Sequence, residues 1–323
     1  MKAIVRDRYG SADVLELKDI EMPTPADDDV LVRIRAASVN SGDLDYMYGR
    51  PAMARLGTGL REPKNRGLGL DVAGTVEAVG RDVTRFGVGD EVFGDLTEHG
   101  YGAFAEYAVV PAEALAPKPP SLSFEEAATV PQSAILALQG LRSRKPLVPG
   151  QKVLINGASG NVGPFAVQIA KAYGAEVTGV CSTDKMDFVR SLGADHVIDY
   201  RREDYARSGQ RYDRILDVAS HRSIFASVRT LRPGGVYAWT GGSTASLFQA
   251  LLLGPLISLA GSRKAGLFMW KPFRQADVAD LTRLIEDGKL KPVIDRRYAL
   301  DEVPAALRHL DEGRARGKLV IIP

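Results

Sequence analysis

Residues Asn156-Gly157-Ala158-Ser159-Gly160-Asn161-Val162-Gly163 join an apolar run, Val153-Leu154-Ile155, to a stretch of helical period over 165–171. A glycine-rich turn between a strand and a helix is what a dinucleotide pyrophosphate requires. Small residues let backbone N–H groups come close, and the helix N-terminus adds partial positive charge. Gly160 is expected to permit the close approach, and Gly163 to let the helix pack on the strand. Ala158 stands at the first glycine of the strict G-x-G-x-x-G pattern. The expected phosphate-binding residues are therefore Ala158, Ser159, Gly160, Asn161, Val162 and Gly163. A tight turn with no ligand is the plainer alternative, and the strand–helix–strand pattern around the loop argues against it.

The next strand end should choose the cofactor. A site for NAD usually carries Asp or Glu about 20 residues beyond the loop. Here that region reads Val180-Cys181-Ser182-Thr183-Asp184-Lys185. Ser182, Thr183 and Lys185 suit a 2′-phosphate, which a carboxylate would repel. Tyr200, with Arg201 and Arg202 beside it, is placed to close the same pocket. The residues therefore predict NADPH in preference to NADH, with Asp184 expected as a helix cap turned away from the ribose.

These residues need a scaffold, and 323 residues suffice for about two domains. The first 120 or so read as short strands (1–5, 14–17, 30–37, 72–79 and one after the turn at 87–90) punctuated by Gly, Pro and Asp. Ser123 opens a helix with Glu125 and Glu126 in its first turn. From Lys152 onward strands alternate with helices, with strands expected at 152–156, 176–180, 196–199, 214–218, 235–240 and 266–269. Helices are expected at 162–173, 185–192 and 224–231, and over parts of 246–259. Six such strands fit an α/β, doubly wound parallel sheet. An amphipathic helix runs from after Pro272 to about 287. The tail Gly317-Lys318-Leu319-Val320-Ile321-Ile322 should return as a strand to the first domain. This reading divides the chain into a discontinuous β-rich domain, 1–122 with 272–323, and a cofactor domain, 123–271.

Composition excludes several classes. Forty-two basic against 40 acidic residues leave a formal charge of +2, too even for a broad nucleic-acid face. One cysteine, Cys181, cannot form an intramolecular disulfide or a thiolate-rich zinc site. No uncharged apolar run comfortably reaches the roughly 20 residues of an integral membrane span. The start of the chain turns charged too early for a secretory signal, so a cytoplasmic protein is expected.

Several stretches together carry a resemblance to a known family. They are Gly69-Leu70-Asp71-Val72-Ala73-Gly74-Thr75-Val76-Glu77-Ala78-Val79-Gly80, Gly87-Val88-Gly89-Asp90-Glu91-Val92-Phe93-Gly94, Gly102-Ala103-Phe104-Ala105-Glu106-Tyr107, the loop 156–163, Leu192-Gly193-Ala194-Asp195-His196-Val197-Ile198-Asp199-Tyr200 and Gly317-Lys318-Leu319-Val320-Ile321. In this order the sequence resembles the medium-chain dehydrogenase/reductase superfamily, within its zinc-independent quinone oxidoreductase and enoyl reductase branch. The resemblance implies a GroES-like domain joined to a Rossmann domain, with substrate held between them. It implies a homodimer paired through the last Rossmann strand, and hydride transfer from NADPH to an enone, enal or quinone. Zinc relatives place a cysteine where this chain has Asn40-Ser41, and Gly-His-Glu where it has Gly69-Leu70-Asp71, so no zinc is expected.

The same resemblance places Asn40 near the nicotinamide. Where several relatives carry a proton-donor tyrosine this chain has Pro51, which leaves Tyr46 and Tyr48 as candidate acids by proximity. Pro131-Gln132-Ser133 is expected to open a helix facing the nicotinamide. Asp217-Val218, Thr240-Gly241-Gly242 and Phe268-Met269-Trp270 are expected along the cofactor. The expected partner is a small hydrophobic electrophile. Two other readings stay open: a pathway-specific reductase of a carrier-bound or natural-product intermediate, and a non-catalytic nicotinamide-binding regulator.

Two stretches stand apart. Residues 244–261 carry no charge and contain Gly254-Pro255; they read as a covering or dimer helix pair, a substrate lid, or a shallow membrane contact. Arg50, Arg55, Arg61, Lys64 and Arg66 against Glu62 give a local excess of four positive charges, read as a solvated loop or a means of steering an anionic substrate.

Overall fold

The computed structural model describes every residue except Met269. The chain forms two compact units. The first holds Met1–Ser133, Pro272–Thr282 and Pro292–Pro323; the second holds Ala134–Lys271 and Arg283–Lys291.

In the first unit a seven-stranded sheet runs in the order Ile294–Ala299, Lys318–Ile322, Asp29–Val39, Asp71–Val79, Glu91–Asp95, Leu115–Pro117, and Tyr107–Pro111 also pairs with Asp29–Val39. The C-terminal strand lies antiparallel to the end of Asp29–Val39, with Leu319 opposite Val39 and Ile321 opposite Ala37. Leu319, Val320 and Ile321 are all fully buried, so this strand is covered on both faces and its apolar run has no polar alternation. That pairing carries Lys318, 278 residues away in sequence, to Asn40.

A separate hairpin pairs Lys2–Val5 with Glu16–Asp19. The strand expected at 14–17 starts later because Ser11 caps a 3₁₀ turn over Ala12–Val14. Ser123 caps the helix Phe124–Ala128 and forms a reciprocal pair with Glu126. This helix packs on Asp29–Val39 and Asp71–Val79, so the first unit extends to Ser133 rather than ending at residue 122.

The second unit is built on six parallel strands in the order His196–Asp199, Glu176–Cys181, Lys152–Asn156, Tyr212–Asp217, Leu231–Trp239, Lys264–Leu267. This is the doubly wound order expected from the sequence. The crossover helices Gly163–Ala172, Met186–Ser191 and Ile224–Arg229 fall where periodicity puts them. Thr244–Ala260 differs: it is one helix, continuous through Pro255. Gly254 sets how closely this helix lies on the sheet. A Cβ there would meet Gly266 Cα at 2.5 Å and Ala265 O at 2.8 Å, so glycine lets the helix lie directly on the strand Lys264–Leu267.

Candidate active site

The loop after Lys152–Asn156 turns at Gly157, whose φ of 87° favours glycine. The N–H groups of Gly157 and Ala158 donate to Val180 O at 3.1 and 3.0 Å, which ties the loop to the neighbouring strand. A Cβ on Gly163 would lie 2.3 Å from Gly157 O and 2.4 Å from Ala158 C. Only glycine fits there, as expected for the residue on which helix Gly163–Ala172 packs. Gly160 is the opposite case: a Cβ would meet nothing nearer than Gly157 O at 3.8 Å. Its missing side chain leaves open space over the turn, not packing. Ala158, Ser159, Asn161 and Val162 are buried around it.

At the second strand end Ser182 stands at the N-cap position of a 3₁₀ turn, Thr183–Lys185, without a side-chain capping bond. Lys185 is only 7% exposed, which sets it apart from a solvated helix lysine. Asp184 is not the cap expected from the sequence. Its carboxylate accepts from the Ser182 hydroxyl, which holds it below the usual range, and it faces Arg201 at 3.5 Å. Asp199 carries a second carboxylate that sequence reasoning missed. It accepts from Thr183 Oγ1 at 2.5 Å and from Arg201 N at 3.0 Å, and it pairs with Arg202 at 3.5 Å. Both carboxylates are thus held by local donors and arginines. Tyr200 is exposed beside this group, with the Arg201 guanidinium 6.0 Å from its ring centroid. Burial pushes the Cys181 thiol up to about 11, so it stays protonated.

The central strand ends form a polar network. Asp217 accepts from Asn156 Nδ2 at 2.7 Å and from the Tyr237 hydroxyl at 2.9 Å. Its carboxyl is raised by burial against these donors, so it braces the strand ends. Asn156 Nδ2 also reaches Ala219 O, and Val218 N donates to Asn156 O. Gly242, at φ 136°, pairs with Ser220, and a Cβ on Gly241 would come within 2.7 Å of Val218 O. Thr240 Oγ1 is buried with no partner among the described residues. That orphaned hydroxyl and the open side of Gly160 are what a bound dinucleotide would satisfy and fill. Phe268 and Trp270 are half-buried. The Gln139 side chain pairs with both backbone groups of Lys271 at 2.9 Å and fixes the segment behind them. Met269, expected with them, lies outside the described residues.

In the first unit the structure assembles a buried cluster around Lys318, which sequence reasoning left unassigned. Its Nζ donates to Asn40 Oδ1 at 2.5 Å and to Ser133 Oγ at 3.1 Å, and lies 3.5 Å from Asp71 Oδ2. Asn40 Oδ1 also accepts from Ser133 Oγ, while its Nδ2 donates to Asp71 Oδ2 at 2.9 Å. The Asn40 amide is therefore committed on both sides. Asp71 further accepts from Ser38 Oγ at 2.8 Å and from Gln132 N at 3.0 Å, an N-terminal N–H of helix Pro131–Arg142. Burial raises the Asp71 carboxyl and lowers the Lys318 ammonium. Their mutual attraction and these donors oppose both shifts.

Two more carboxyls lie nearby. Asp43 accepts from Asn40 N and Gly69 N, yet burial pushes it up to about 8. Asp95 accepts from Thr97 through one oxygen, while its Oδ2 is buried without a partner among the described residues, and burial takes it to about 7.

Tyr46 and Tyr48 do not join this cluster. The Tyr46 hydroxyl donates to Asn65 O at 3.0 Å, and its ring stacks on Tyr101 with centroids 3.9 Å apart. The Tyr48 hydroxyl donates to Asp311 Oδ2 at 2.7 Å. That bond raises its pKa.

Comparison with known proteins agrees with this architecture. Residues 26–120 match the family described as alcohol dehydrogenase GroES-like domain, and residues 192–321 match zinc-binding dehydrogenase. The chain is 34% identical to human "NAD(P)H oxidoreductase RTN4IP1, mitochondrial", over 99% of this chain and 89% of that protein. It is 33% identical to 2-methylene-furan-3-one reductase of Solanum lycopersicum, over 100% and 79% respectively. Its fold matches the quinone oxidoreductase of Coxiella burnetii with a TM-score of 0.89 and 30% identity, covering 100% of this chain and 99% of that one.

The zinc named in the second family description does not fit the residues present. A catalytic zinc needs three ligands from Cys, His or carboxylate. The cluster offers one carboxylate, one amide and a lysine ammonium, and among the described residues no group of three His, Cys, Asp or Glu could hold a metal. A GroES-like unit, a doubly wound sheet with a glycine-rich loop after its first strand, and likeness along the whole of this chain to a furanone reductase and a quinone oxidoreductase make one statement of kinship: the chain is an oxidoreductase of the medium-chain dehydrogenase/reductase superfamily, in its quinone oxidoreductase branch.

Proposed function

We propose that the protein is an NADPH-dependent, metal-free reductase of activated alkenes or quinones. The observation that carries this reading is the phosphate loop. Gly163 is obligatory for packing, Gly160 faces open space, and the Thr240 hydroxyl waits for a partner at the end of strand Leu231–Trp239, two strands away in the same sheet. Lys185 supports NADPH over NADH. It is a buried cation beside Ser182, in a region where Asp184 and Asp199 are engaged by Arg201 and Arg202.

When bound, the reduced nicotinamide supplies a hydride. The chain's own part is to bind and orient. With the Gly157 and Ala158 N–H groups bound to Val180 O, the N-terminal end of helix Gly163–Ala172 would face the pyrophosphate. Ser182, Thr183, Lys185 and Tyr200 would hold the adenosine end. Thr240 and the glycine backbone at 241–242 would hold the ribose beside the nicotinamide, with Phe268 and Trp270 nearby. Asn40 takes a positioning role, since its amide is spent on Lys318, Ser133 and Asp71. With the Tyr46 and Tyr48 hydroxyls committed elsewhere, solvent supplies the proton that follows hydride addition.

Cytoplasmic location and a homodimer through the sheet-edge strand Lys264–Leu267 belong to the same proposal. Stopped-flow measurement of NADPH absorbance with a panel of enones, enals and quinones tests the activity. Turnover that prefers NADPH supports it. Tight NADPH binding without turnover would favour the regulatory reading instead.

A further inference from the structure

Helix Thr244–Ala260 is apolar on both sides. Its inner face, with Ser246, Ala250 and Gly254 buried, packs on strand Lys264–Leu267. Its outer face exposes Phe248, Leu252, Leu256 and Leu259, spaced i, i+4, i+8 and i+11, and the last three are 63%, 61% and 87% exposed. Phe225 of the neighbouring helix Ile224–Arg229 adds another exposed ring. A contiguous apolar face of this kind marks a surface that is covered by something in use.

The charge around it says what covers it. From Val218 through Ala276 the sequence holds no Asp or Glu, but it holds Arg222, Arg229, Arg232, Arg263, Lys264, Lys271 and Arg274. At the C-terminal end of the helix, Arg144 donates to Ala265 O and Lys145 to Gly234 O, while Gly234 N donates to Ser262 Oγ. Arg144, Lys145, Arg263 and Lys264 therefore form a basic rim where the leucine stripe ends. Arg222, Arg232 and Arg274 are paired with Asp204, Asp213 and Asp277 at 2.6, 2.9 and 3.6 Å, which leaves the rim residues as cations beside the stripe with no such pairing among the described residues.

We propose that this face docks on the surface of an anionic lipid bilayer. Phe248, Leu252, Leu256 and Leu259 would enter the acyl boundary and the basic rim would meet the headgroup phosphates. A sheet of lipid phosphate complements a basic rim beside an apolar face. The helix lies on the surface and does not span: among the described residues no helix is long and apolar enough to cross a membrane. The proposal does not depend on the oxidoreductase reading, and its test does not measure turnover.

The test is co-sedimentation of the full-length protein with vesicles of phosphatidylcholine alone or with 30 mol% (about a third) phosphatidylglycerol. Two variants are compared with the parent, each checked for unchanged melting temperature and NADPH binding. One is Leu252→Glu/Leu256→Glu/Leu259→Glu, and the other is Arg144→Glu/Lys145→Glu. The expected result is pelleting with the anionic vesicles, weakened roughly tenfold by either variant and by high salt. Hydrogen exchange of residues 244–260, slowed by anionic vesicles in the unmodified protein, gives the same answer without a variant. Absence of pelleting with anionic vesicles, or pelleting that ignores both variants, would overturn the proposal. So would a dimer, seen by light scattering, that the leucine variant turns into monomers, because the stripe would then belong to a second copy of the chain.

Discussion

Lys318 Nζ lies 2.5 Å from Asn40 Oδ1, joining the C-terminal strand to the end of Asp29–Val39 inside the first unit. The lysine side chain is 1% exposed, and Asp71, 3.5 Å away, is wholly buried. Such a cation is held in place by its partners, and the partners are held by it. Changing Lys318 to Met would leave the buried Asp71 carboxyl without the cation it faces, at a cost of roughly 3–5 kcal/mol. Adding Asp71→Asn should return part of this, with a coupling energy of about 1–3 kcal/mol in a double-mutant cycle followed by urea unfolding. Additive losses would mean that the pair is not an energetic unit.

The two loop glycines should separate folding from binding. Gly163→Ala forces a Cβ against Gly157 O at 2.3 Å and should lower the melting temperature and NADPH affinity together. Gly160→Ala meets no close neighbour, so it should fold as well as the parent yet bind NADPH about tenfold or more weakly, because its methyl group enters the space left for pyrophosphate. Calorimetric titration and a thermal melt on both variants decide this. Equal affinities for Gly160→Ala and the parent would move the pyrophosphate elsewhere.

Lys185 should sort the cofactors. Replacing it with Ala removes a charge-assisted contact of about 1.5–3 kcal/mol, so KM for NADPH should rise roughly 10- to 100-fold while KM for NADH stays within about twofold. Parallel rises for both would make Lys185 a packing residue.

Stability should fall as pH rises. Asp43 and Asp95 are taken by burial to about 8 and about 7, far above the usual carboxyl value of 3.8. Both are protonated in the folded protein at pH values where the unfolded chain has released those protons. Their contribution is complete below about pH 4 and is lost as pH climbs through 7 and 8, at up to about 1.4 kcal/mol per pH unit for each proton. Urea unfolding between pH 5.5 and 8.5 should show this decline, and Asp95→Asn should flatten part of it. An increase in stability over that range, or an unchanged slope in Asp95→Asn, would show that these carboxyls are ionised throughout.

The second unit was the more legible from sequence, because its signals are local. The apolar run 153–155, the glycines at 157, 160 and 163 and the helical period that follows lie within twenty residues, and the strands at 152–156 and 196–199 appear with the expected bounds. Its errors are also local. Pro255 reads as a break in the sequence, but the helix Thr244–Ala260 continues through it and packs at Gly254 on a strand that lies further along the chain. Asp184 was read as a cap, whereas Ser182 before it takes that position. The first unit's cluster was hidden because its parts come from four distant segments. Asn40 and the stretch containing Asp71 stand out in the sequence, but nothing near either residue points to Lys318. A signal did exist: a lysine opening the strand Lys-Leu-Val-Ile-Ile must find a buried carboxylate if the strand is central. Tyr46 and Tyr48 were chosen by proximity in sequence, and the partners that engage their hydroxyls, Asn65 O and Asp311, lie in other segments.

The central claim is hydride transfer from NADPH without a metal. It is tested most directly by steady-state oxidation of NADPH with a quinone or enone, before and after dialysis against a strong chelator, with metal content measured on the same samples. The account predicts turnover that chelation leaves unchanged, in protein carrying far less than one equivalent of zinc. Activity lost on chelation and restored by added zinc would contradict it.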